Sequence, residues 1–234
     1  MSLVDFGYQR ILRPALFRIN PEWVHEWVLG NLRWARLCEP LLRKIFCLPH
    51  PKMQQTIWNY TFQSPIGLAG GLDKNAVCAD IWELFGFGFL EIGTLTPHPQ
   101  IGNPKPRLFR YPEMEAIVNR MGFNNDGSEI IANRLAMEWK RKRQPHAIMG
   151  VSVGKQKETP ADDIQAVIRD YKTSLKRLYP FGDFFVVNVS SPNTPDLRSL
   201  QDRKPLRQLL FALKDEMFAL HGGEHPKPLC VKLA

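Results

Sequence analysis

The stretch Phe184-Phe-Val-Val-Asn-Val-Ser-Ser-Pro-Asn-Thr-Pro-Asp-Leu-Arg198 decides the fold. It begins as an unbroken apolar run, the pattern of a strand buried on both faces, as in parallel sheets. It then turns polar, with Asn188, Ser190, Ser191, Asn193 and Thr194 interrupted by Pro192 and Pro195. A buried strand that opens into an amide- and hydroxyl-rich loop is where (β/α) barrels carry their chemistry. A plain Ser/Asn/Pro turn between strand and helix would look the same in isolation. The other strands of the chain end alike, and that tips the balance.

Upstream, residues 66–71, 89–94 and 147–154 read as strands, and downstream 229–234 reads as a fifth. Helical patterns lie between them. Val77, Ile81 and Leu84 share one face of a helix closing near Gly86. Asp126 with Glu129 resembles a capping box opening a helix through Ile131, Leu135 and Trp139. Thr159-Pro160 is expected to start a helix striped by Ile164, Val167, Ile168, Tyr171, Leu175 and Leu178. Pro205 opens another with Leu206, Leu209, Leu210, Leu213 and Met217, ended by Gly222-Gly223. A Pro-rich insertion occupies 97–112, and residues 56–62 alternate as a short strand or hairpin.

This rhythm means an α/β fold on a parallel sheet, either open or closed. No G-x-G-x-x-G follows the first strand, which lowers the odds of an open dinucleotide-binding sheet. The expectation is a (β/α)8 TIM barrel truncated after about five strands. A chain ending on a bare strand leaves two sheet edges, as the front part of a longer protein would.

Residues 1–50 have a different texture and form a separate N-terminal helical segment, with 51–234 as the barrel domain; Pro49-His50-Pro51 marks the boundary. Ile11, Leu12, Ala15, Leu16 and Ile19 recur at helical spacing, with Pro14 near a first turn or at a kink. Asn20-Pro21 is a helix start. Behind it Trp23, Trp27 and Trp34, with Val24, Val28 and Ala35, make a wide apolar surface edged by Arg33 and Arg36. Pro40 is expected to end that helix, and Leu41, Leu42, Ile45 and Phe46 add a third piece. Trp-rich faces edged with Arg suit a membrane interface, and equally a helical hairpin docked on the main domain by its Trp side chains.

The 234 residues, 44% hydrophobic, supply one sizeable core. Cys38, Cys47, Cys78 and Cys230 are scattered, which argues for a reducing compartment and against a zinc site. No apolar window approaches a bilayer span, and the N-terminus has no h-region of a secretory signal. The net charge of +8 fits an anionic membrane face or nucleic acid. Its densest run, residues 140–143, falls at an expected helix C-terminus, where cations complement the dipole. No nucleic-acid-binding motif is present, so no such partner is expected.

Collected at the strand ends are Gly70, Gly71, Asp73 and Lys74; Thr94; Ser152 and Lys155; Asn188, Ser190, Ser191 and Asn193; and Lys232, with Asn119, Asn124 and Asn125 from the insertion side. The set is amides, hydroxyls and lysines with almost no carboxylates. Paired acids for glycoside hydrolysis, a metal-ligand cluster and a Ser-His-Asp order are all missing. Such donors suit a planar ligand with imide edges and a carboxylate, and two adjacent glycines let backbone approach a flat ring. The glycines alone also suit a tight βα turn, and residues 119–125 a polar loop.

Six motifs carry a family resemblance: Leu68-Ala-Gly-Gly-Leu-Asp-Lys74, Glu91-Ile-Gly-Thr-Leu-Thr96, Pro106-Arg-Leu-Phe-Arg110, Asn119-Arg-Met-Gly-Phe-Asn-Asn125, Asn188-Val-Ser-Ser-Pro-Asn-Thr-Pro195 and Val231-Lys-Leu-Ala234. In this order they resemble the quinone-linked, membrane-associated class of dihydroorotate dehydrogenase, from about residue 56 onward. The resemblance implies an FMN enzyme oxidising dihydroorotate to orotate in pyrimidine biosynthesis, with a quinone (ubiquinone or menaquinone) as acceptor.

By position, Gly70, Gly71, Leu72, Asp73, Lys74, Thr94, Ser152, Asn188 and Lys232 would contact FMN. Lys74, Asn119, Arg120, Met121, Gly122, Phe123, Asn188 and Asn193 would hold the substrate, Ser191 would be the catalytic base, and Arg110 would line the site near the flavin. Residues 1–50 would be the membrane-docking quinone channel of a peripheral protein on the cytoplasmic face of the cell membrane, with no metal. The chain departs from the family pattern at Ser152 and Gln156, where the family carries asparagines. The loops that seat the FMN phosphate would lie past the fifth strand, so residues 1–234 alone are expected to hold FMN weakly. Two alternatives stay open on the residues themselves: a Schiff-base lyase using Lys232 or Lys74, and a catalytically incomplete membrane-binding fragment.

Overall fold

The computed structural model describes residues 6–48, 50–223 and 225–234; Pro49, read above as part of the boundary, lies outside them. Five strands form one parallel sheet: β3 (Gly67–Leu68), β4 (Phe89–Leu95), β7 (Ile148–Val153), β8 (Phe184–Asn188) and β9 (Leu229–Lys232). They pair in chain order, β3-β4-β7-β8-β9, every neighbour parallel. A doubly wound sheet would reverse order at a switch point. Here there is no reversal, and right-handed crossovers then put successive helices on one face. Among the described residues β3 and β9 are edges, so the sheet is not closed and no barrel is completed.

Helices α4 (Ser128–Lys140), α5 (Ile164–Leu178) and α6 (Arg203–His221) pack side by side. Their stripes, including Ile131, Leu135, Val167, Tyr171, Leu175, Leu209 and Leu213, meet Phe185, Val187, Val151 and Ile92 in the main core. On the other sheet face, Phe184, Val186 and Ile148 form a second cluster with Phe62. Alternate residues of β8 thus serve two cores, which is why the strand reads as a continuous apolar run. Phe62 comes from a hairpin of β1 (Gln55–Ile57) and β2 (Tyr60–Phe62).

Several expected helix starts are corrected. The segment after β3 forms no α-helix, only a 3-10 turn at Trp82–Phe85 closed by left-handed Gly86. Helix α4 begins at Ser128 behind Gly127 without a side-chain cap; Asp126 instead pairs with Arg134 at 2.9 Å. Asp163, not Thr159, caps α5, accepting from the Gln165 and Ala166 N–H groups. The insertion folds into a hairpin of β5 (Leu108–Tyr111) and β6 (Ala116–Asn119).

The N-terminal segment holds α1 (Arg13–Phe17), α2 (Pro21–Leu32) and α3 (Glu39–Phe46). Asn20 caps α2 as its sequence suggests, its Oδ1 accepting from Glu22 and Trp23 N–H. Pro40 does not terminate the preceding helix; it sits in the first turn of α3, where its missing N–H costs nothing. Docking by the Trp side chains is corrected as well. Trp23, Trp27 and Trp34 are exposed, and α2 is held instead by Leu29 and Leu32 packed on the main core and by Glu22, which accepts from Arg107 Nε and Nη2 at 3.0 and 2.7 Å.

Candidate functional site

The C-terminal ends of β3, β4 and β8 open on a cavity of about 690 Å³, roofed by α2 and the β5–β6 hairpin. One wall carries most of the polar groups, Gly70, Gly71, Lys74, Thr94, Asn188, Ser191 and Asn193, and Asn119 reaches in from the end of β6 on the hairpin side. The other is mostly apolar: Pro21, Val24, Val28 and Leu29 of α2 with Leu108 and Ile117 of the hairpin, among which stand His25 and Arg110. Residues from Pro21 to Asn193 therefore share one hollow.

Each polar group is set by its surroundings. Asn188 ends β8, and its Nδ2 donates to Thr94 Oγ1 at 2.7 Å while its Oδ1 accepts from Ser190 N–H and Oγ. The buried Tyr171 hydroxyl donates to the Asn188 carbonyl at 2.8 Å, pinning the strand end from the helix side. Ser191 Oγ accepts the Asn193 N–H at 3.2 Å. Lys74 donates to Asn124 Oδ1 at 2.5 Å. Burial, reinforced by Arg107 and opposed by Glu22, lowers its ammonium to about 8. Burial and the charge of Lys74 also lower His25, against Asp73, Glu26 and Glu22, which favours the neutral imidazole at neutral pH.

The backbone at residues 70–71 forms a cradle. A Cβ on Gly70 would strike the Glu91 side chain at 2.4 Å, whereas Gly71, at φ +115°, faces open space with nothing within 4 Å. A flat ring can therefore approach main chain there, next to the Thr94 and Asn188 side chains. This donor set suits a flavin: amides, hydroxyls and an ammonium, with an open planar approach.

Of the expected site residues, Gly70, Gly71, Leu72, Lys74, Thr94, Asn119, Met121, Gly122, Phe123, Asn188, Ser191 and Asn193 line the cavity, and so does Arg110. Four do not. The Asp73 carboxylate is taken by the Val77 and Cys78 N–H groups and Trp82 Nε1, so it folds the turn after β3 and offers no cofactor contact from its side chain. Arg120 donates to the Pro106 carbonyl and lies over the Phe109 ring, outside the cavity. Ser152 is buried behind Thr94, 3.0 Å between hydroxyls, and Lys232 stands 3.9 Å from Glu91. Sequence reasoning missed His25, which sits in an amphipathic helix where a polar residue ordinarily faces water.

A family model for dihydroorotate dehydrogenase matches residues 52–234. The chain belongs to the dihydroorotate dehydrogenase family. It is 46% identical over 227 residues to a "Dihydroorotate dehydrogenase (quinone)" of Gloeobacter violaceus, covering 96% of this chain and 60% of that protein. A protein of the same name from Methylococcus capsulatus is 45% identical over 97% of this chain and 64% of its own length. A crystal structure of DHODH from Eimeria tenella in complex with ferulenol superposes with a TM-score of 0.75 at 35% identity, over 94% of this chain and 61% of that one. The chain thus spans about three fifths of the length of these family members.

Proposed function

We propose that the protein carrying this chain oxidises dihydroorotate to orotate with FMN and passes the electrons to a quinone, serving pyrimidine biosynthesis. The observation that carries this is the two-walled cavity, in which Lys74, Asn119, Asn188, Ser191 and Asn193 oppose the apolar face of α2. The in-order parallel sheet is then the leading arc of a (β/α)8 barrel, and the cavity lies at the strand ends such barrels use. The lyase alternative draws no support from the relatives, which are named dehydrogenases.

FMN would rest on residues 70–71 beside Thr94 and Asn188, and when bound it supplies the hydride acceptor and the route to one-electron chemistry. Lys74 binds the substrate carboxylate, and Asn119, Asn188 and Asn193 read its ring amides, as bidentate amide edges can. Ser191 Oγ takes the proton from the ring carbon beside the carbonyl as its own hydroxyl proton passes to water, so the serine ends the step neutral. A hydroxyl is a weak base, but the Asn193 N–H aimed at Ser191 Oγ stabilises negative charge on that oxygen. Val24, Val28, Leu29, Leu108 and Ile117 exclude water and accept the quinone ring, with His25 and Arg110 as donors for its carbonyl.

The exposed Trp23, Trp27, Trp34 and Leu37, with Arg33 and Arg36 beside them, suit peripheral contact with the cytoplasmic face of the cell membrane, from which a quinone would enter. No helix among the described residues is long and apolar enough to cross a membrane.

Anaerobic addition of dihydroorotate to the flavin-loaded protein tests the function. Bleaching of flavin absorbance, reversed by a soluble quinone, is expected. Absorbance that stays unchanged at saturating dihydroorotate would overturn it.

A further inference from the structure

Asn103, in the insertion, does not itself line the cavity, yet it joins three segments that do or that surround it. Its Nδ2 donates to the Arg120 carbonyl at 3.0 Å and to the Asn193 carbonyl at 3.4 Å. Its Oδ1 accepts from Lys157 Nζ at 3.1 Å, which fixes the amide so that the nitrogen faces both carbonyls. Its own N–H donates to the Met121 carbonyl at 3.0 Å. Gly122, at φ +71°, leaves it the room: a Cβ there would lie 2.8 Å from Asn103 Cγ.

Both donors and one acceptor site of a single side chain are thus spent on the 119–123 loop, the Ser191 loop and the loop after β7. On this side, among the described residues, the Ser191 loop is tied by two long hydrogen bonds only, the one from Asn103 at 3.4 Å and one from Asn193 Nδ2 to the Asn119 carbonyl at 3.5 Å. Of the two, only the Asn103 amide is itself fixed, by Lys157 and the Arg120 carbonyl.

We propose that Asn103 is a positioning residue that latches the Ser191–Asn193 loop over the cavity, with Lys157 orienting the latch. The inference rests on the functional reading above, in which that loop carries the base and a substrate amide. Asn103 itself meets neither substrate nor cofactor. It holds the main chain at Asn193, whose N–H in turn is aimed at Ser191 Oγ. A loop free to lift would lose both the base and a substrate contact together, leaving the quinone wall on α2 untouched.

The test uses the complete, flavin-loaded protein carrying Asn103→Ala or Asn103→Asp. The aspartate keeps the Lys157 contact and the side-chain size but presents oxygens to two carbonyls, separating donation from space filling. Amide hydrogen exchange within residues 190–196 is expected to quicken roughly tenfold in both, the loss of one or two net hydrogen bonds, with α4 and α5 unchanged. Orotate affinity and the rate of flavin reduction by dihydroorotate fall with it, while reoxidation by a soluble quinone keeps its wild-type rate. Unchanged exchange at 190–196, or faster exchange with unaltered orotate affinity, overturns the proposal. If Asn103→Ala does not fold, Asn103→Asp and Lys157→Met decide by the same readouts. A wild-type protein that neither binds orotate nor is reduced by dihydroorotate refutes the functional reading, and the exchange comparison then still decides the latch.

Discussion

Helices α2 and α5 carry similar densities of large apolar residues and meet opposite fates. In α5 the stripe is sealed: Val167, Tyr171, Leu175 and Leu178 are each 0% exposed. In α2 only Val24 is buried among its apolar residues, whereas Trp23 and Trp27 are 53% and 51% exposed and stack on each other with centroids 6.4 Å apart. The sheet domain buries apolar surface against itself. The helical segment is attached through a buried ion pair and a few partly buried side chains, Leu29, Leu32, Ala35 and Leu42, turns one strip into the cavity and leaves its largest side chains outside. Periodicity tells where an apolar face lies; what covers it depends on the rest of the fold.

The largest effect falls on the polar wall. Ser191→Ala is expected to slow dihydroorotate oxidation about 10²- to 10⁴-fold, the usual worth of a positioned base, with flavin still bound. Stopped-flow absorbance checks it, and an unimpaired rate would remove Ser191 from the chemistry.

The attachment of α2 comes next. Glu22 and Arg107 are each 5% exposed in their side chains, so Arg107→Ala strands a buried carboxylate and should cost about 3–5 kcal/mol in denaturant unfolding. Burial acts to raise the Glu22 carboxyl, but Arg107 and Lys105 outweigh it and hold it below its ordinary 4.5. The stabilisation is therefore complete above that value and is lost as pH falls through the depressed one. An acid limb of unfolding that is the same in wild type and Arg107→Ala would contradict this.

The outer face separates the two regions most plainly. Replacing Trp23, Trp27 and Trp34 by Ser should weaken binding to anionic vesicles by roughly tenfold or more, while leaving the melting temperature nearly unchanged, because little of that area is buried in the fold. A large drop in melting temperature would mean the tryptophans belong to the core.

The smallest effect is graded. Lys74 loses its ammonium as pH rises through about 8, so orotate affinity should fall above that pH, by at most about tenfold per unit. In Lys74→Met the dependence disappears.

Much of this was legible in the residues. The run at 184–188 announced a doubly buried strand, and the motifs named Lys74, Asn119, Asn188 and Ser191, which do line one cavity. Other features were hidden for physical reasons. Asp73 stands among site residues in sequence, yet an aspartate is equally suited to collecting the N–H groups of a turn, which is its use here. The β5–β6 hairpin is short and largely exposed, so it lacks the alternation that marks a half-buried strand. Asn103 works through tertiary contacts spanning 17 to 90 positions, which no local pattern can announce. Pro40 reads either as a helix stop or as a first-turn residue, and only the neighbouring 3-10 segment at Arg33–Cys38 decides.

The central claim is that one wall of the cavity receives a pyrimidine carboxylate while the other is reserved for an apolar oxidant. A crystal structure of the flavin-loaded protein with orotate tests it most directly. The carboxylate should lie on Lys74 Nζ, with the ring amides on Asn119, Asn188 and Asn193 and Ser191 Oγ facing the ring. Orotate bound against Val24, Val28 and Leu29 instead, or outside the cavity, would contradict the account.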